Sequence, residues 1–173
     1  MKRLISILLA AILSVSFCAC DSVENVLDAM DVPATPKTFT VENLTIELTD
    51  DFFRMDMLAQ DFDFCISSED IVIFGTCIDI AENELAGISS WDYATAFHDA
   101  LEESTLTAVT DLNGIPSMQY NSYSDDGEKQ TVFITVHETN TCFWLLQFIF
   151  DTEDYDRLYP LAQQYALSVK SKE

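Results

Sequence analysis

Two imidazoles, His98 and His137, are the only side chains in the 173 residues whose ordinary titration falls near neutral pH. Acid-base or nucleophilic catalysis would need one of them within hydrogen-bond reach of a hydroxyl or thiol. No nucleophile-elbow pattern such as GxSxG accompanies either one. Cys65, Cys77 and Cys142 each sit in an apolar, strand-like run, without CxxC or metal-ligand spacing, and read as buried free thiols. A Cys65 to Cys77 bridge across a hairpin is conceivable, although the two positions are not directly opposite. Cys142 approaches His137 across Thr139-Asn140-Thr141, with 138 facing 142 or 137 facing 143, which brings them near without aiming them at one face. No catalytic set is expected.

Acidic side chains gather in the connections: Asp50-Asp51, Asp61 with Asp63, Glu82 with Glu84, Asp125-Asp126, and Asp151 with Glu153, Asp154 and Asp156. Calcium needs six to eight oxygens, and none of these groups supplies the offsets of a twelve-residue calcium loop. The group at 151–156 suits the positive end of a helix dipole better than a cation. No metal site and no cofactor are therefore expected; a small-ligand or calcium-binding role for the acidic loops is the alternative. The formal net charge of −22 repels phosphate backbones and anionic headgroups. Nucleic acid is excluded as a partner on that ground, while proteins, peptides and cations remain. Trp91, Trp144 and the six tyrosines could form a recognition surface, but most fall on faces that core packing explains. Tyr120 and Tyr123 fall on opposite faces of one strand.

The chain opens with Lys2-Arg3, then an uncharged stretch over residues 4–17, then Ser16-Phe17-Cys18-Ala19-Cys20. Fourteen residues of helix span about 21 Å, short of the roughly 30 Å hydrocarbon core, so this is a secretory leader rather than a membrane span. Its end resembles a bacterial lipoprotein signal, in which a small residue precedes a cysteine that is lipidated and heads the mature chain; Ala19-Cys20 matches. Residues 1–19 are then the signal peptide, Cys20 the lipid anchor, and the lipid the sole membrane attachment. Cleavage near Ala19 without lipidation would give a secreted protein. Loss of Lys2 and Arg3 makes the mature chain still more acidic. Residues 20–37, polar and carrying Pro33 and Pro36, read as a tether, with Val23, Val26, Leu27 and Met30 at the spacing of a short amphipathic turn.

Residues 38–173 form one domain. Its pivot is 142–150, nearly unbroken in apolar character and hence a strand covered on both faces, beside an alternating strand at 129–138. Before them come an alternating element from Phe39 to Leu48 with a turn or bulge at Glu42-Asn43, a Phe52-Phe53 pair at the sheet edge, and a hairpin of 62–66 and 71–80 in which Gly75 marks a bulge or close packing. The period then changes: Trp91, Ala94, Phe97, Ala100 and Leu101 make a helical stripe over 90–104, with Ser89 and Asp92 as a capping box. Strands 107–112 and 115–123 follow around Asn113-Gly114, with Pro116 at a strand start or edge. Asp125-Asp126-Gly127 is the next turn. Thr152 caps a closing segment in which Pro160 belongs to the first turn of the main helix, after a separate turn over 153–159. The result is an α+β fold, a mostly antiparallel sheet of about seven strands with helices on both faces.

Residues 44–48 with Asp50-Asp51-Phe52, Leu112-Asn113-Gly114-Ile115-Pro116, and Tyr155 with Leu158-Tyr159-Pro160-Leu161 resemble the PsbP-like domain. That family is an α/β/α sandwich named for an extrinsic subunit of the photosynthetic oxygen-evolving complex and found also in bacterial lipoproteins. The resemblance spans roughly 38–170 and rests on turns and core positions. It implies a binding or accessory role rather than catalysis, with an envelope protein or peptide as partner.

Overall fold

The structure is a computed structural model that describes residues 35–55, 62–103 and 105–172. The leader, Cys20, nearly all of the tether, and Asp61 lie outside the described residues. Ten strands and two helices follow in the order β1 (Pro36–Val41), β2 (Leu44–Thr49), β3 (Phe53–Met55), β4 (Phe64–Ser67), β5 (Val72–Asp79), α1 (Ser90–Ala100), β6 (Thr110–Leu112), β7 (Ile115–Tyr123), β8 (Lys129–Glu138), β9 (Cys142–Asp151), α2 (Tyr155–Leu167) and β10 (Lys170–Ser171). A seven-stranded antiparallel sheet has the order β3-β4-β5-β9-β8-β7-β6, and a second sheet pairs β1-β2-β10.

β9 takes the middle of the large sheet, and nine of its ten residues are buried. Side chains along a strand alternate between faces, and the two sets of β9 enter different clusters. Cys142, Trp144, Leu146, Phe148 and Phe150 pack with Leu44, Ile46 and Leu48 of β2 and with Leu158, Ala162 and Ala166 of α2. Phe143, Leu145 and Ile149 pack with Ala94 and Phe97 of α1 and with Val132, Ile134 and Val136 of β8. Each large side chain so buried contributes about 1.5–3 kcal/mol, which is why an apolar run of this length settles in the centre rather than at an edge.

Local chemistry fixes the turns. Asn113 (φ 51°) and Gly114 (φ 92°) both occupy the left-handed region, as a two-residue hairpin between right-twisted strands requires. Gly75 faces Phe64 across the β4–β5 ladder, and a Cβ there would run into the Phe64 ring. Ser89 caps α1: its hydroxyl accepts from the Asp92 amide at 3.2 Å, while the Ser89 amide donates to the Asp92 carboxylate at 3.4 Å.

Four expectations are corrected. The large sheet has seven strands, but the N-terminal pair is not among them: β1 and β2 form the small sheet with β10, and the seventh strand is β3. Phe52 and Phe53 part company, Phe52 buried edge-on to Tyr165 at 5.4 Å and Phe53 54% exposed on β3. The first helix ends at Ala100 because Leu101 turns to extended backbone. Pro160 lies inside α2, which runs unbroken from Tyr155. Leu158, Ala162, Tyr165 and Ala166 anchor that helix in the core, while Pro160 and Asp156 are exposed, so the Asp156 carbonyl that loses its proline partner faces water.

Candidate functional site

The densest polar arrangement lies where the β1–β2 turn meets the β8–β9 turn. The Thr139 amide donates to the Cys142 carbonyl at 2.9 Å, so the hairpin closes over Asn140-Thr141 alone. The Thr139 hydroxyl in turn accepts from the Cys142 amide at 3.1 Å and lies 3.2 Å from Cys142 Sγ. Glu42, at φ 45°, turns the chain so that Asn43 reaches across. Asn43 Nδ2 donates to Thr139 Oγ1 at 3.1 Å, to Thr141 Oγ1 at 3.3 Å and to Cys142 Sγ at 3.7 Å, and Asn43 Oδ1 accepts from Trp144 Nε1 at 2.8 Å. One asparagine thus ties the small sheet to the centre of the large one. Sequence reasoning passed over it because an Asn beside a turn has a local explanation; the signal is a buried tryptophan whose N–H must find an acceptor.

The tight hairpin also corrects the expected register. Glu138 faces Phe143 and His137 faces Trp144, one position away from the symmetric three-residue turn, because the Thr139 side chain supplies bonds that a longer loop would have left open. His137 and Cys142 consequently share a sheet face, yet they form no dyad. His137 Nε2 is bonded to Thr135 Oγ1 at 3.0 Å, and burial pushes the imidazole down to about 4, so it is neutral in the fold at pH 7.

All three described cysteines are free. Cys65 packs in the cluster with α1, whereas Cys77 packs against the opposite cluster, so the two point away from each other. Burial is the main cause that holds the Cys77 thiol protonated, with the nearby Cys142 thiol acting in the same direction. Burial likewise raises Cys65 to about 11. Neither is a thiolate nucleophile at neutral pH.

His98 stands in the last turn of α1, 3.1 Å from the Asp99 carboxylate. Many acids serve as caps for backbone amides: Asp63 accepts from Cys77 N at 2.6 Å, Asp79 from Glu82 N at 2.8 Å, Asp111 from Gly114 N at 2.5 Å and Glu138 from Ser90 N, at the start of α1, at 3.1 Å. Asp70 and Asp154 clasp Arg157, whose hydrogen bonds hold the Asp70 carboxyl below its usual range. Among the described residues no three His, Cys, Asp or Glu side chains gather to hold a metal, and no helix is long and apolar enough to cross a membrane. Tyr93 stacks on Phe143 at 4.9 Å, Tyr155 stacks on Tyr159 at 4.8 Å, and Tyr120 is buried while Tyr123 is 69% exposed. The aromatics are mainly core. Among the described residues the exposed large apolar groups are Phe53 and Met55 on β3, Trp91 on α1, Tyr123 on β7, and Leu161 and Leu167 on α2.

A solution structure of cyanobacterial PsbP from Synechocystis sp. PCC 6803 aligns over 84% of this chain and 98% of its own, with a TM-score of 0.53 and 10% identity. The fold is PsbP-like. LpqN of Mycobacterium tuberculosis, described as involved in cell envelope biogenesis, aligns over 83% of this chain and 88% of its own at TM-score 0.42 and 14% identity. PA94 of Pseudomonas aeruginosa, a protein of unknown function, aligns over 77% of this chain and 94% of its own at TM-score 0.40 and 11% identity. No family model matches the sequence, and no curated protein matches it.

Proposed function

We propose that this chain is an exported, lipid-anchored domain of the cell envelope that binds a protein or peptide, or serves as an accessory subunit, without catalysis of its own. The observation that carries the reading is the use made of the reactive groups. The buried imidazole is neutral and bonded to Thr135, the half-buried thiol of Cys77 is held protonated, and Asp63, Asp79 and Asp111 cap backbone amides. Among the exposed apolar groups, Phe53 and Met55 lie together on β3, the outermost strand of the large sheet. An edge strand offers unpaired backbone groups to an extended segment of a partner.

The architecture that goes with this role is an α/β/α sandwich with the helices on opposite faces, supported by the division of β9 side chains between the α1 and α2 clusters. Anchoring at Cys20 is supported by the leader and the Ala19-Cys20 junction. The test combines two arms. Cys20→Ala is expected to leave the chain in the soluble fraction with no lipid on its N-terminus. Separately, in situ crosslinking of the anchored protein should recover one envelope component that Phe53→Asp and Met55→Asp lose. Membrane retention of Cys20→Ala would overturn the anchor, and recovery unchanged in both edge variants would overturn the binding surface.

A further inference from the structure

We propose that Cys77 and Cys142 are a redox pair, which a disulfide-bonded oxidant converts into a bridge between β5 and β9. In the ladder Cys77 faces Trp144 and Asp79 faces Cys142, so the two cysteines are diagonal neighbours on one face. Cys142 belongs to the cluster against which Cys77 packs, while Cys65 sits on the other face. Diagonal Cα atoms are about 7–8 Å apart, slightly beyond the usual disulfide span of roughly 4.4–6.8 Å, so the bond needs the strands to draw together. This end of β5 permits that. β4 pairs only as far as Gly75, and beyond it the Cys77 amide is held by the Asp63 side chain instead of a strand. The same gap leaves Cys77 partly exposed and open to an oxidant, while Cys142 is buried beneath Asn43, Thr139 and Thr141.

The order of events follows from access. Cys77, once deprotonated, attacks one sulfur of the oxidant R–S–S–R and expels R–S⁻, which takes up the proton as R–SH. Cys142, deprotonated in turn, attacks Cys77 Sγ and expels the second R–SH. Two electrons pass from the two cysteine sulfurs to the oxidant, and two protons end on the two released thiols. The groups that face Cys77 are Cys142, Asp63 and Glu42, all of which oppose a thiolate, as does burial. Exchange is therefore slow at neutral pH and rises about tenfold per pH unit in the alkaline direction.

The test treats the native full-length chain with oxidised glutathione across that pH range, then maps acid-quenched peptides by mass. A Cys77–Cys142 linked peptide lacking two hydrogen atoms is expected from the wild type and from Cys65→Ser, with a higher melting midpoint. Cys77→Ser and Cys77→Ala are expected to leave Cys142 unmodified. A glutathione adduct that persists on Cys77, a bridge to Cys65, or no reaction under conditions that oxidise the unfolded chain would each overturn the proposal. None of these results bears on the envelope-binding reading.

Discussion

Acidification from pH 7 to pH 5 will weaken this fold through His137. In the folded chain burial holds the imidazole at about 4, whereas in the unfolded chain it returns to about 6.5. Between those values the unfolded state binds a proton that the folded state refuses, so stability is complete above the unfolded value and falls as the pH drops toward the folded one. At pH 5 the unfolded imidazole is nearly all charged and the folded one about a tenth so, which corresponds to a loss of about 2 kcal/mol relative to pH 7. For a domain of this size that is roughly a 5–8 °C drop in melting midpoint. The net charge of −22 works the other way, since protonating carboxylates relieves self-repulsion, and Asp70, held low by Arg157, gives up its share only below its ordinary range. His137→Gln isolates the imidazole from both. Urea titrations of wild type and variant at the two pH values are expected to show the wild type losing about 2 kcal/mol more than the variant. Equal losses would refute the assignment of a buried neutral imidazole, whatever the absolute stability of the variant.

Asn43→Ala removes the acceptor of the buried Trp144 N–H, so chemical denaturation is expected to show a loss of about 1–3 kcal/mol, with Asn43→Asp, which keeps an acceptor, losing less. Leu146→Ala in β9 is expected to cost about 2–5 kcal/mol by the same measurement, since neighbours in a packed strand close a cavity poorly. Gly75→Val should give no soluble folded protein, as judged by circular dichroism, because the Phe64 ring occupies the space. If the acidic loops bound calcium, saturation at a hundredfold above the dissociation constant would add about 2.7 kcal/mol to stability; with no three acids gathered to hold a metal among the described residues, thermal melts with and without calcium are expected to coincide.

Much of the large sheet was legible because its signals are local and strong: the unbroken apolar run of β9, the alternation of β8, Asn113-Gly114, and the Ser89 and Asp92 box each point to one conformation. The small sheet was not. β1 and β2 alternate like any strand pair, and nothing in their own residues tells which sheet they join; that is set by β10, a two-residue strand from the far end of the chain that pairs Lys170 with Thr45. Pro160 misled for a related reason. A rule about local backbone geometry was outweighed by four buried side chains on the same helix. Around the candidate site, the thiols and His137 were flagged by residue type, but the partners that decide their behaviour, Asn43, Thr135 and the nearness of Cys77 to Cys142, come from segments far apart or from a register that one extra turn residue would have changed.

The most direct test of the architecture is a set of side-chain NOEs from β9. The account predicts that Phe143 and Leu145 show contacts to Ala94 or Phe97 of α1, while Trp144, Leu146 and Phe148 show contacts to Leu158, Ala162 or Ala166 of α2. Contacts from both helices to side chains of the same parity would put the helices on one face and contradict it.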